Sequence, residues 1–112
     1  MTVTLDPRDG YAVLINTFHV KPGRAEDLAL VLKAATQDTI RHAPGFISAS
    51  VHVSDDGKRV INYAQWQSRA DYEAMRQTSG SAEHFEKAQA LSVSFDPVLC
   101  ELRYSHAAEP VS

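Results

Sequence analysis

The chain has 112 residues, 44% of them hydrophobic and 22% charged, which fits one globular domain with enough apolar material for its own core. Eleven basic residues stand against fourteen acidic ones, for a net charge of −3, and a sequence-neutral grip on DNA or RNA needs the opposite balance, so no nucleic-acid partner is expected. The lone Cys100 excludes an intrachain disulfide and a cysteine-based zinc site, and the longest apolar run, Tyr11 to Ile15, is far below the ~18 residues of a membrane helix.

Residues 1–10 are a polar lead that ends in the turn signal Asp9-Gly10. They lack a basic patch followed by an apolar stretch, so no signal peptide is expected and a cytoplasmic setting is. Residues 11–20 are rich in β-branched and aromatic side chains and predict a strand, broken by Lys21-Pro22-Gly23. Leu28, Val31, Leu32, Ala35 and Thr39 recur at helical spacing and predict a helix over 24–41, stopped by Ala43-Pro44-Gly45. Strands follow over 46–53 and 59–67, joined by the hairpin cue Asp55-Asp56-Gly57. Ser68 through Asp71 resembles a capping box and opens a short helix to about residue 77. Thr78-Ser79-Gly80 interrupts, a second short helix covers roughly 81–91, and a last strand covers 97–105. Pro97 is tolerable there because the first residue of a strand need not donate a ladder bond. Residues 106–112 read as a loose tail rich in Ala, Pro and Ser.

The order β-α-β-β-α-β is an α+β, ferredoxin-like pattern in a single domain, with helices on one face of an antiparallel sheet. Alternation along 46–53 places Phe46, Ser48, Ser50 and His52 on one face and Ile47, Ala49, Val51 and Val53 on the other. The second set is as apolar as a core, and one copy of the fold has no third layer for it. Sheet-to-sheet packing in a homodimer is therefore expected.

The same alternation places Asn62 and Trp66 on one face of the third strand, and Asn16 between Leu14 and Phe18 on the first. A buried amide without partners costs roughly 1–3 kcal/mol, so Asn16 and Asn62 should have partners or a ligand; a loop contact that merely fixes geometry satisfies this as well as a substrate does. Trp66 is either a core anchor or a flat wall with one N–H donor for an aromatic ligand. Tyr72, on the first turn of the next helix, is either a surface phenol or a proton donor aimed into a cavity. His19, His42, His52, His84 and His106 form no metal-binding spacing. His52 and His84 remain candidates for substrate contact, with a structural or solvent-exposed role the commoner one. No phosphate loop, dinucleotide fingerprint or nucleophile elbow is present. Amides, phenol, indole and imidazole suit proton transfer and hydrogen bonding to an oxygen-bearing aromatic better than hydrolysis.

Asn62-Tyr63-Ala64-Gln65-Trp66 with Tyr72 resembles the antibiotic biosynthesis monooxygenase family, in particular its small anthrone oxygenases of polyketide tailoring. Asp6-Pro7-Arg8, Pro44-Gly45-Phe46, Ser48-Ala49, His52, Asp56-Gly57 and Ser81-Ala82-Glu83 extend the likeness over residues 6–105. Pro-Gly-Phe alone is common across the superfamily and speaks only to fold. The resemblance implies a dimeric α+β barrel that needs no flavin, haem or metal and uses molecular oxygen as co-substrate to oxidise an anthrone-type phenol to a quinone. It implies that Asn62 and Trp66 hold a substrate oxygen and that Tyr72 holds a second and helps protonate a peroxide. Asn16, His52, His84 and Phe85 would complete the substrate contacts. One departure stands out: the arginine that the anthrone oxygenases carry in the later helix falls near His84-Phe85, where this chain has none. Two rivals remain open. Small haem-degrading oxygenases share an Asn like Asn16 and a Trp like Trp66, but the position of their axial His is Gln89 here. A non-catalytic ligand-binding barrel is the other.

Overall fold

The breaks in the hydrophobic pattern become the boundaries of the elements in a computed structural model, which describes residues 2–110. Residue 1 and residues 111–112, the end of the predicted tail, lie outside the described residues. A one-turn 3-10 helix at Pro7–Asp9 is capped by Asp6, whose carboxylate accepts the Arg8 backbone N–H at 2.9 Å. Strand β1 spans Ala12–Val20, helix α1 Ala25–Asp38, β2 Phe46–Val53 and β3 Arg59–Trp66. Helices α2, Arg69–Arg76, and α3, Ser79–Ala90, precede β4, Ser92–Glu101. The four strands are antiparallel in the order β2-β3-β1-β4. This is the α+β, ferredoxin-like fold. No helix of the described residues is long and apolar enough to cross a membrane.

Three boundaries depart from expectation for a local reason, and β4 also ends at Glu101, short of the expected residue 105. Helix α1 ends at Asp38, and residues 40–42 tighten into a separate 3-10 turn before Pro44. Helix α3 starts at Ser79 because the Thr78 hydroxyl accepts the Ser81 N–H at 3.4 Å, so Gly80 lies inside the first turn instead of breaking the chain. Strand β4 begins at Ser92, five residues before Pro97. The proline sits mid-strand opposite Asn16 and is accommodated because β4 is a sheet edge. The Ser68 cap is as predicted: its oxygen accepts the Asp71 N–H at 3.1 Å.

The assignment of sheet faces needs a correction. The β2–β3 register shifts between Phe46 and Ser48, so Ile47 is an extra residue and Phe46 joins Ala49 on one face. Phe46, Ala49, Val51 and Val53 all pack beneath the helices. The apolar face of β2 is therefore the covered one. The bare face carries Ser48, Ser50 and His52 beside Ile61, Tyr63, Val13, Ile15, Val98 and Cys100. One end of it lies under the N-terminal lead, where Gln65 Nε2 donates to the Thr4 carbonyl at 2.9 Å and Ser48 Oγ donates to Gln65 Oε1 at 2.8 Å.

Under the helices the core has two halves. Phe18, Leu28, Val60 and Ala88 form one, and Leu14, Ala64, Trp66 and Tyr72 the other. Full burial of a Leu or Phe is worth roughly 1.5–3 kcal/mol, so each half is a firm anchor. Between them runs one row of the sheet, Val51, Asn62, Asn16 and Pro97. Two polar residues thus interrupt an otherwise continuous apolar floor.

Candidate active site

Above that row a cavity of about 370 Å³ opens between the sheet and the helices. Period-two alternation on β1 brings Leu14, Asn16 and Phe18 to its floor, and Asn62 joins them from β3. The i, i+3, i+4 spacing on α2 aims Tyr72, Met75 and Arg76 at one wall. On α3 the same geometry presents Ser81, His84, Phe85 and Ala88, while Leu32 and Ala35 of α1 close the far side. The volume lies within the ~300–1,000 Å³ of small-molecule sites, and the apolar lining with a few polar groups is typical of them.

Asn16 and Asn62 are direct cross-strand partners. The Oδ1 atom of each is buried and has no hydrogen-bond partner among the described residues, and the same holds for Nε1 of Trp66. Tyr72 is 6% exposed and packs edge-on against Trp66, with ring centroids 6.0 Å apart. Trp66 leans in turn on Phe46 at 5.5 Å. Burial pushes the Tyr72 phenol above its usual 10.0, with Arg76 pulling it down and Glu73 pushing it up to lesser degrees. The phenol therefore stays protonated and able to donate at any physiological pH. Phe85 is held by a T-shaped contact with Phe95 at 5.1 Å. The Arg76 guanidinium lies 5.9 Å from the centre of the Tyr72 ring, a cation–π distance.

The structure thus gathers Asn16, Asn62, Tyr72, His84 and Phe85 around one space. Trp66 differs from expectation: it is 1% exposed, stands behind Tyr72 and is not part of the cavity lining. His52 is also displaced. It is exposed on the bare face of the sheet, paired with Ile61, and the sheet separates it from the cavity. Met75 and Arg76 are among the lining residues that no sequence motif marks. The helical spacing from Tyr72 was the signal that could have found both.

A profile of the antibiotic biosynthesis monooxygenase family matches residues 12–91. The tetracenomycin-F1 monooxygenase of Streptomyces glaucescens is 40% identical over 105 residues, which cover 94% of this chain and 93% of that protein. The chain belongs to the antibiotic biosynthesis monooxygenase family. Among solved structures, the ActVA-Orf6 monooxygenase of Streptomyces coelicolor, in complex with nanaomycin D, superposes with a TM-score of 0.80 at 32% identity. The alignment covers 93% of this chain and 96% of that one. SnoaB of Streptomyces nogalater, a cofactor-independent oxygenase, superposes with a TM-score of 0.76 at 21% identity, covering 86% and 96% of the two chains, and supports the fold alone. Family membership fixes the coarse chemistry as that of a monooxygenase of antibiotic biosynthesis. The cavity residues run from Leu14 to Gln89, so the whole site lies inside the segment matched to the monooxygenase family.

Proposed function

We propose that the chain is a cofactor-independent monooxygenase that uses O2 to oxidise an anthrone-type polycyclic phenol to a quinone, working as a homodimer. The observation that carries this reading is the pair of facing amides, Asn16 and Asn62, with unpartnered oxygens in the floor of an apolar cavity. Two unsatisfied amides side by side are costly unless water or a ligand pairs with them. A planar aromatic with adjacent phenol and keto oxygens offers a donor and an acceptor to such a pair, while Phe85, Leu32 and Ala35 supply apolar walls for its rings.

The chemistry follows from that fit. A ring methylene activated by neighbouring phenols and a ketone loses a proton, and the electron pair spreads onto the keto oxygen. Amide N–H groups of Asn62 and Asn16 stabilise that developing charge in a site shielded from water. The electron-rich carbon reduces O2 and forms a C–O bond, and the Tyr72 hydroxyl donates a proton to the peroxide. Loss of the second C–H proton with O–O cleavage releases one water and leaves a carbonyl. One O2 is consumed per quinone, one of its atoms enters the product and the other leaves as water, and all four electrons come from the methylene carbon that becomes the new C=O. Trp66, behind Tyr72, holds the phenol in position instead of touching substrate. The names of the relatives support a polyketide substrate, and an organic molecule that supplies its own electrons needs no flavin or metal.

The test is O2 consumption by purified, chelator-treated protein with dithranol, read by oxygen electrode and by the quinone spectrum. Stoichiometric uptake and quinone formation without flavin or haem absorbance are the expected result. Quenching of Trp66 fluorescence with no O2 uptake would make the protein a binding module, and a Soret shift on adding hemin would move it to the haem-degrading branch.

A further inference from the structure

The cavity has a neutral polar floor and a charged rim. Asn16 and Asn62 at the base carry no charge, whereas Arg76 on the last turn of α2 borders the same space from the solvent side. Its guanidinium is held over the Tyr72 ring at 5.9 Å and forms no ion pair among the described residues. Glu86 also borders the rim, but from α3, and no salt bridge joins it to Arg76. An arginine guanidinium presents a planar N–H fork matched to a planar oxyanion, and a neighbouring aromatic ring satisfies its charge without using those donors. Among the described residues no carboxylate uses that fork.

We infer that Arg76 is a specificity-determining residue that selects substrates bearing an acidic group, an aryl carboxylate or its equivalent, at the end of the ring system remote from the oxidised carbon. The inference rests on the oxygenase reading and deepens it by naming the substrate class. The reacting oxygens seat on the buried amides, the fused rings fill the apolar middle, and the anionic end reaches the α2 side of the mouth. The sequence carries no arginine near His84-Phe85, and Arg76 supplies a cation to the same cavity from the neighbouring helix. An anion held there also sits beside Tyr72, so one residue aligns the long axis of the substrate with the proton donor.

The experiment compares dithranol with rhein anthrone, which is dithranol bearing one aryl carboxylate. For the wild type, kcat/KM is expected to be about tenfold higher for the carboxylate, the size of one partly exposed charge-assisted contact. Arg76→Gln should collapse that ratio to near one, chiefly through KM, and Arg76→Lys should restore part of it. A carboxylate preference that survives Arg76→Gln, or a wild type that turns over both compounds equally, overturns the inference while leaving the oxygenase reading intact. If neither compound is oxidised, that reading fails separately. Trp66 fluorescence titrations with both compounds then decide on Arg76, because the affinity ratio and its loss in Arg76→Gln are read without turnover.

Discussion

Asn16 and Asn62 bear oppositely on stability and on catalysis. Each has a buried oxygen with no partner among the described residues, and a buried polar atom left unpaired costs roughly 1–3 kcal/mol. Replacing Asn62 with Leu, which is similar in size and has no polar atom, removes that cost. Asn62→Leu is expected to keep or raise the melting temperature while cutting kcat by about 100-fold, the usual cost of losing one donor to a developing oxyanion. Circular dichroism melting and O2 uptake on the same sample check both halves. A structural amide would lose stability together with activity. These two residues were legible because strand alternation alone places a polar residue among apolar neighbours. Trp66 was not: whether an indole faces a cavity or stands behind another ring depends on where Tyr72 packs, and that is set by a helix joined through a loop. Arg76 was legible only as the i+4 neighbour of Tyr72, since no motif marks it and its approach to the cavity depends on how α2 docks on the sheet. A helix of eight residues next to the cavity offers the same space from a different turn.

Between residue and fold, the turn before β2 controls how α2 meets the sheet. Gly45 has φ +82, and its carbonyl accepts the Gln67 N–H at 2.7 Å, tying the start of β2 to the end of β3. A Cβ at that position would overlap the carboxylate of Asp71, one residue before Tyr72. Gly45→Ala therefore meets both the left-handed backbone penalty, ~1–2 kcal/mol, and a clash with the first turn of α2. The expected result is a melting temperature lower by at least ~5 °C, at roughly 4–8 °C per kcal/mol for a domain near this size, with loss of turnover as Tyr72 is pushed from its place. An unchanged melting curve would show that α2 adjusts freely. Elements of this kind were well marked in the sequence, since Pro44-Gly45 and the Ser68 cap set their boundaries. The hidden features were a bulge and a proline. One extra residue at Ile47 moves Phe46 to the other face, and nothing in the local composition announces it. Pro97 looked like a strand start because its neighbours in space, which make β4 an edge, are not its neighbours in sequence.

On the scale of the whole molecule, the helices and the cavity occupy one side of the sheet, so the proposed homodimer would have to form through the other. The apolar strip of β2 that first suggested a second copy lies under the helices, and the case for a homodimer rests on different residues. Ile15, Ile61, Tyr63 and Val98 share the bare face, and Val98 is 45% exposed. Four strands of at least eight residues, side by side, present about 500 Å² in plan at ~3.3 Å rise and ~4.8 Å spacing. Side-chain relief brings this toward the ~800 Å² per partner of a standard interface. Ser48, Ser50 and His52 make part of that face polar, so two lysines should be enough to open it. Light scattering on the wild type is expected to give twice the mass of one chain. In Ile15→Lys combined with Val98→Lys, like charges meet across the two-fold contact without partners, and the mass should fall to that of one chain. Each cavity is built from a single chain, so the separated copies should still quench Trp66 fluorescence with dithranol. A wild type that is monomeric at every concentration would remove the homodimer and leave the site standing.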